Sequence, residues 1–366
     1  MRKSRRLVLI LAGIILLLIP CCKQSPTEGS PFTPEILSDG WSVSSPEDQE
    51  LDRHTLESGY DSAAQLSYMY SLLVVRHGYL VAEQYFNGDT RETPNNVMSV
   101  SKSFLSALIG IALNRGDLDS LSQRMLDFFP EYSSPPLDAR KWNITVRHLL
   151  MMRAGFATDQ DVYFQVYNSS NWIQTTINLP LQFDPGARMV YCTYETHLLS
   201  AILTKASGVS SYQFCETYLC EPLGVTVHFW EQDAQGYYFG GNSMGFLPRE
   251  MAKFGLLYLH DGAMNEKQIV PKAWVDESLT NFTNNPANTW GDLVNYNYGY
   301  LWWMGELNGY GVKLALGHGG QYIVLIPQLD MVVVSTANPQ FDWDTADLHE
   351  RAILHIISAS ILASAR

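Results

Sequence analysis

The apolar residues of this chain change their rhythm from segment to segment, and each rhythm predicts a different element. Residues 7–19 form an unbroken apolar run, preceded by Arg2, Lys3, Arg5 and Arg6 and followed by Pro20-Cys21-Cys22 and a polar stretch at 23–34. A membrane-spanning helix takes about 20 apolar residues, so a run this short reads as the core of an export signal. Residues 72–75 and 80–86 are β-rich runs joined by Arg76-His77-Gly78-Tyr79, which predicts a hairpin. Phe104, Leu105, Leu108, Ile109, Ala112 and Leu113 then recur at helical spacing until Asn114-Arg115-Gly116 stops them. Further helical periods at 146–152, 196–206 and 211–219 are separated by Gly, Pro and Asn clusters. A second hairpin is predicted at 322–326 and 331–335, and an apolar helix from about 346 to 363 closes the chain.

Strands near both ends with helices between them predict an α+β fold. An antiparallel sheet from both chain ends, flanked by helices, carries a mainly helical insertion at about 105–260. The expected organisation is an export signal at 1–22, a tether at 23–45, the main domain at 46–340 and a terminal helix at 341–366 packing on the sheet. Loops such as 158–175 and 281–297 are expected to shape any pocket.

Composition narrows the function. With 366 residues, 46% of them hydrophobic, the chain has material for a large core in one or two domains. Its formal charge of −13 would become −17 once the four leading basic residues were removed, which argues against nucleic acid as a partner. A cysteine directly after the apolar core resembles a bacterial lipoprotein signal, so Cys21 or Cys22 is the expected lipidation site. An uncleaved signal anchor is the alternative, and either one leaves the body exported and tethered to a membrane. Cys192 stands alone, and Cys215 and Cys220, five apart in a predicted helix, should point to different faces as free thiols. No C-x-x-C, H-E-x-x-H, P-loop or G-x-G-x-x-G motif occurs, so neither a metal nor a cofactor is expected.

Chemistry concentrates at Ser99-Val100-Ser101-Lys102, which sets a hydroxyl and an amine one helical turn apart at the mouth of the apolar helix. The positive end of the helix dipole there disfavours a protonated Lys102, making it a base near neutral pH. Tyr191 and Thr193 lie on a loop after the turn Asp184-Pro185-Gly186. Gly317-His318-Gly319-Gly320-Gln321 opens the last hairpin, where backbone N–H groups can hold an oxyanion. A rival nucleophile is Ser243 in Gly241-Asn242-Ser243-Met244-Gly245, with Asp292 and His318 following in α/β-hydrolase order. That motif needs a helix starting at the serine, whereas the helix here is expected from Pro248. His197, inside a helix, reads as structural. Trp302-Trp303 with Tyr296, Tyr298 and Tyr300 reads first as packing and second as a pocket wall.

The ordered motifs S-x-x-K, tyrosine loop and His-x-Gly strand resemble the serine β-lactamase and penicillin-binding-protein superfamily, most closely class C β-lactamase-like esterases and 6-aminohexanoate-dimer hydrolases. The resemblance runs from about 71 to 338 and takes in Pro185-Gly186, Glu221-Pro222-Leu223-Gly224, Gly240-Gly241, Pro248 to Gly255, Tyr298 to Trp303 and Gly319-Gly320-Gln321. It implies that Ser99 accepts an acyl group, that Lys102 activates it and that Tyr191 shuttles the proton. Thr193 stands where the family usually has Asn or Ser, and His318-Gly319-Gly320 where relatives carry K-T-G, H-T-G or W-G-G. By the same resemblance the oxyanion hole combines the N–H of Ser99 with that of Gln321. The missing lysine turns the expectation towards small esters or amides rather than β-lactams or D-Ala-D-Ala peptides. A non-catalytic envelope protein that binds peptidoglycan in the same cleft is the other class considered.

Overall fold

The structure is a computed structural model that describes residues 32–132, 137–283 and 288–366. Cys21 and Cys22 lie outside the described residues, as does the signal segment. Nine strands form one sheet: β1 (Ser42–Val43), β2 (Met69–Arg76), β3 (Tyr79–Tyr85), β4 (Thr289–Trp290), β5 (Leu293–Tyr298), β6 (Trp303–Leu307), β7 (Tyr310–Gly317), β8 (Gln321–Ile326) and β9 (Met331–Ala337). Their spatial order is β1-β3-β2-β9-β8-β7-β6-β5-β4, so the sheet is built from both ends of the chain, as expected. All neighbours pair antiparallel except the two-residue β1 against β3.

Both predicted hairpins form, for local reasons. His77 and Gly78 both have positive φ (50° and 77°), the signature of a tight turn whose twist matches the flanking strands. In the second hairpin Pro327 opens a short turn that ends with Asp330 in the left-handed region. The central strands β8 and β9 are buried throughout, and their alternate residues feed two cores. Ile323, Leu325, Val332 and Val334 face the helical insertion, whereas Tyr322, Val324, Met331 and Val333 face the terminal helices. Because both faces are covered, these strands read as continuous apolar runs instead of alternating ones.

Six helices place the site: α1 (Arg53–Ala64), α2 (Ser101–Arg115), α3 (Asp159–Tyr167), α4 (Thr193–Ser207), α5 (Pro248–Leu259) and α6 (Trp343–Ile356). Every residue of α2 from Ser101 to Ala112 is buried, which explains its apolar character on all sides. A Cβ on Gly110 would fall inside the Trp274 indole, so only glycine fits there. Gly116, at φ 81°, ends the helix with a left-handed cap. The helix α5 lies within the segment assigned to the insertion, yet it packs on the sheet against β8 and β9.

Two expectations are corrected. Residues 158–175 and 281–297 are not plain loops: the first carry α3 and the start of a helix at Trp172–Asn178, and the second carry β4 and most of β5. Cys215 and Cys220 do not point apart, because the helix at Ser211–Cys215 widens into a π turn over Glu216–Cys220. The wider turn stacks residues five apart and brings the two Sγ atoms to 3.4 Å, both buried. Among the described residues no helix is long and apolar enough to cross a membrane.

Candidate active site

Ser99 is delivered by backbone strain. It sits in a short turn, Met98–Val100, directly ahead of α2, and Met98 takes φ 51°, which a non-glycine residue adopts at a cost of roughly 1 kcal/mol or more. The Asn96 side chain accepts the Met98 N–H at 2.9 Å, and the Ser101 hydroxyl donates to the Met98 carbonyl at 2.6 Å. These bonds hold the kink that turns the Ser99 hydroxyl into the cleft.

Lys102 lies one turn further on and is 1% exposed. Its Nζ donates to Ser99 Oγ at 2.8 Å, to Thr193 Oγ1 at 3.1 Å and to the Gly241 carbonyl at 2.7 Å, which uses all three ammonium donors. Gly241 is required there, since a Cβ would collide with the side chains of Thr193 and Thr196. Burial pushes the lysine down to about 8, partly opposed by the negative charge of Asp159. Desolvation thus acts in the same direction as the helix dipole invoked from sequence, favouring the neutral amine.

The tyrosine loop supplies the other side. Tyr191 lines the cleft beside Ser99, and burial raises its phenol above the usual range while the nearby Ser99 hydroxyl opposes the shift, so the side chain rests as a neutral phenol and not as a phenolate. Its ring stacks on Trp303 at 5.9 Å and lies 5.0 Å from Lys102 Nζ. Trp303 thus backs the site, whereas Trp302 is wholly buried against Tyr258 and Phe254. Thr193 donates through its hydroxyl and its N–H to the two oxygens of Asp159, each at 2.6 Å. Asp159 is 4% exposed; burial raises its carboxyl, while Lys102 and the two bonds from Thr193 oppose the shift. This carboxylate was missed in the sequence, where no spacing rule ties it to Thr193, 34 residues away.

The glycine loop after β7 departs from expectation. A Cβ on Gly317 would clash with the Val97 carbonyl, so the end of β7 runs against the backbone that leads into Ser99. Of the loop, only His318 lines the cleft. Gln321 is fully buried and turned away: its amide donates to the Ala337 carbonyl at 2.6 Å and accepts the Ala337 N–H at 3.2 Å. The Gly320 N–H bonds the Gly317 carbonyl and the Gly319 N–H bonds Glu350. His318 spends its Nε2 proton on the Phe341 carbonyl at 3.0 Å, so its imidazole is not aimed at Ser99. Ser99 and His318 both line the cleft, whereas Gln321 does not.

The rival constellation does not assemble. Ser243, at φ 61°, precedes a short strand at Met244–Phe246, and the helix begins at Pro248 as expected. Asp292 bonds His355 at 2.9 Å and takes no part in a triad with Ser243. His197 is a buried core residue, paired with Asp233 at 2.9 Å.

The cleft over Ser99 has a volume of about 360 Å³. Its inner wall is Ser99, Asp159, Tyr191, Thr193 and Asn242, and its mouth is rimmed by Phe164, Phe341 and Trp343. Among its lining residues there is no lysine or arginine. The helix α3 and the start of α6 meet across it, with the Tyr163 and Trp343 rings edge-on at 6.4 Å.

A serine bonded to a buried lysine with a tyrosine in the same cleft, at the seam of an antiparallel sheet and a helical insertion, defines a β-lactamase-related serine hydrolase of the esterase or amidase type. The comparisons agree, since the Beta-lactamase family model matches residues 68–356, and the chain belongs to that family. It is 24% identical over 309 residues to the 6-aminohexanoate-dimer hydrolase of Paenarthrobacter ureafaciens, covering 76% of this chain and 74% of that one. Among solved structures, the putative 6-aminohexanoate-dimer hydrolase from Bacillus anthracis superposes with a TM-score of 0.68 at 20% identity, over 88% of each chain. A D-stereospecific amidohydrolase from Streptomyces superposes at 0.67 and 16% identity, over 86% of this chain and 100% of its own.

Proposed function

We propose that this chain hydrolyses small esters or amides through an acyl-enzyme on Ser99. The observation that carries the proposal is the 2.8 Å bond between Ser99 Oγ and a buried Lys102. In its neutral form Lys102 accepts the hydroxyl proton as Oγ bonds to the substrate carbonyl carbon. The Tyr191 phenol, lining the same cleft, passes its proton to the departing alcohol or amine as its bond to carbon breaks, and the Lys102 ammonium then restores a proton to the tyrosine. Water then attacks the acyl carbon and gives a proton to Lys102, and a proton passes from the Lys102 and Tyr191 pair to Ser99 Oγ as its bond to the acyl carbon breaks. Each positioned acid–base group contributes about 10²–10⁴ in rate.

The N–H groups of Ser99 and His318, two residues that line the cleft, are the oxyanion donors we favour over the expected Ser99 and Gln321 pair, since Gln321 does not line it. The cleft offers no cation beyond Lys102 to a carboxylate-bearing substrate, which favours uncharged esters and amides over β-lactams. Incubation with p-nitrophenyl esters and a fluorophosphonate probe tests the reading. Turnover and a probe adduct on Ser99 are expected, and labelling elsewhere, or turnover that survives Ser99→Ala, would refute it. For location, the basic-apolar-Cys order of the first 22 residues supports export with lipidation at Cys21 or Cys22. Metabolic labelling with an alkynyl fatty acid that persisted in a Cys21→Ser, Cys22→Ser double variant would sink that assignment.

A further inference from the structure

Glu350 is a buried carboxylate that acyl transfer does not use. It projects from α6 with 8% of its surface exposed, and its Oε1 accepts the Gly319 N–H at 2.8 Å. The same oxygen lies 4.0 Å from His318 Nδ1. Burial pushes the carboxyl up to about 7; Asp347 adds to the shift, whereas the Gly319 bond and Arg351 oppose it. An ionisable group in so dry a place costs stability that an apolar residue would not.

What it touches explains its presence. Gly319 and Gly320 sit at φ 83° and 106°, a loop path that glycine alone takes cheaply. Ser335 Oγ donates to the Gly320 carbonyl at 2.8 Å, Gln321 Nε2 to the His318 carbonyl at 3.4 Å, and His318 Nε2 to the Phe341 carbonyl. Those restraints involve neutral partners. Glu350 is the acidic side chain bonded to the loop backbone among the described residues, and it grips the peptide that follows His318.

We propose that Glu350 is a positioning residue for the oxyanion hole: its carboxyl orients the His318–Gly319 peptide so that the His318 N–H faces the charge developing at the Ser99-bound carbon. This rests on the acyl-enzyme reading above. A donor that engages the oxyanion acts chiefly in the transition state, so misaiming it lowers kcat while leaving KM nearly unchanged.

The test compares wild type, Ser99→Ala, Glu350→Ala, Glu350→Gln and Glu350→Asp on p-nitrophenyl acetate and butyrate, with thermal unfolding as a folding check. Glu350→Ala should lower kcat about 10- to 100-fold, with KM within about threefold, as expected for a displaced oxyanion donor. Glu350→Gln keeps the reach and an acceptor oxygen for Gly319, so it should stay within about fivefold of wild type. Glu350→Asp keeps the acid but falls a methylene short, and should resemble the alanine variant. Should Glu350→Ala fail to fold, the order Gln above Asp decides. A folded Glu350→Ala within twofold of wild type, losses shared between kcat and KM, or a Gln variant no better than Asp overturns the role. Turnover surviving Ser99→Ala overturns the acyl-enzyme reading and this inference together, whereas its loss there with Glu350→Ala unchanged overturns the Glu350 role alone.

Discussion

The inner wall and the mouth of the cleft are built on opposite principles. Inside, Lys102 and Asp159 are almost fully buried and joined through Thr193 by bonds of 2.6 to 3.1 Å. At the mouth, Phe164 is 65% exposed, Trp343 45% and Phe341 37%, and they offer apolar contact without polar clamps. A network that is desolvated and bonded throughout has one geometry and sets the chemistry. Loosely packed aromatic rings accept many shapes and set only selectivity.

Removing the centre of the inner wall should cost most. Ser99→Ala should lower kcat/KM about 10⁴-fold or more, as deletion of a nucleophile within a coupled unit does; ester hydrolysis under single-turnover conditions measures it. Lys102→Met should cost about 10³-fold with little change in KM, the loss of one general base. Its titration gives a sign: the neutral amine is the base, so the wild-type rate should climb as pH rises through about 8 and then level off.

Asp159→Asn reaches the same network from behind. It should lower kcat about tenfold, since a hydrogen bond to a charged group is worth roughly 1.5–3 kcal/mol. The Asp159 charge raises the lysine, so its removal should also move the ascending limb to lower pH, which a rate profile between pH 6 and 10 would reveal. Trp343→Ala, at the mouth, should do least. An aromatic contact is worth about 0.5–1.5 kcal/mol, so kcat/KM for aryl acyl esters should fall only a few-fold, with acetate esters unaffected. A uniform loss across all esters would erase the contrast between wall and mouth.

The legible parts of this chain were those that leave a periodic trace. Strands buried on both faces show as apolar runs, which is why β2, β3, β8 and β9 stood out. The partners β5, β6 and β7 did not: β5 bears exposed positions, a left-handed Asn295 and a register shift between Val294 and Asn297 that breaks the alternation. Ser99, Lys102, Tyr191 and Thr193 could be assembled because motif order survives divergence. Asp159 could not, since a single acid in a helix carries no spacing signal. The direction of the Gln321 side chain was not legible because two left-handed glycines turn the chain between His318 and the sheet, a detour that counting along the sequence does not see. The cysteine pair was misjudged because ordinary helical geometry was assumed where the helix widens.

The seam between β2 and β9 has a further consequence, for the order in which this molecule comes into being. It joins Met69–Arg76 to Met331–Ala337, register pair by register pair, across most of the chain. Loop-closure entropy is met before such a pairing returns any stabilisation, which makes its formation slow compared with that of the two local hairpins. The scaffold that holds the glycine loop against Ser99 is thus among the last things to form, and a nascent chain ending before β9 has no central strand to assemble it on.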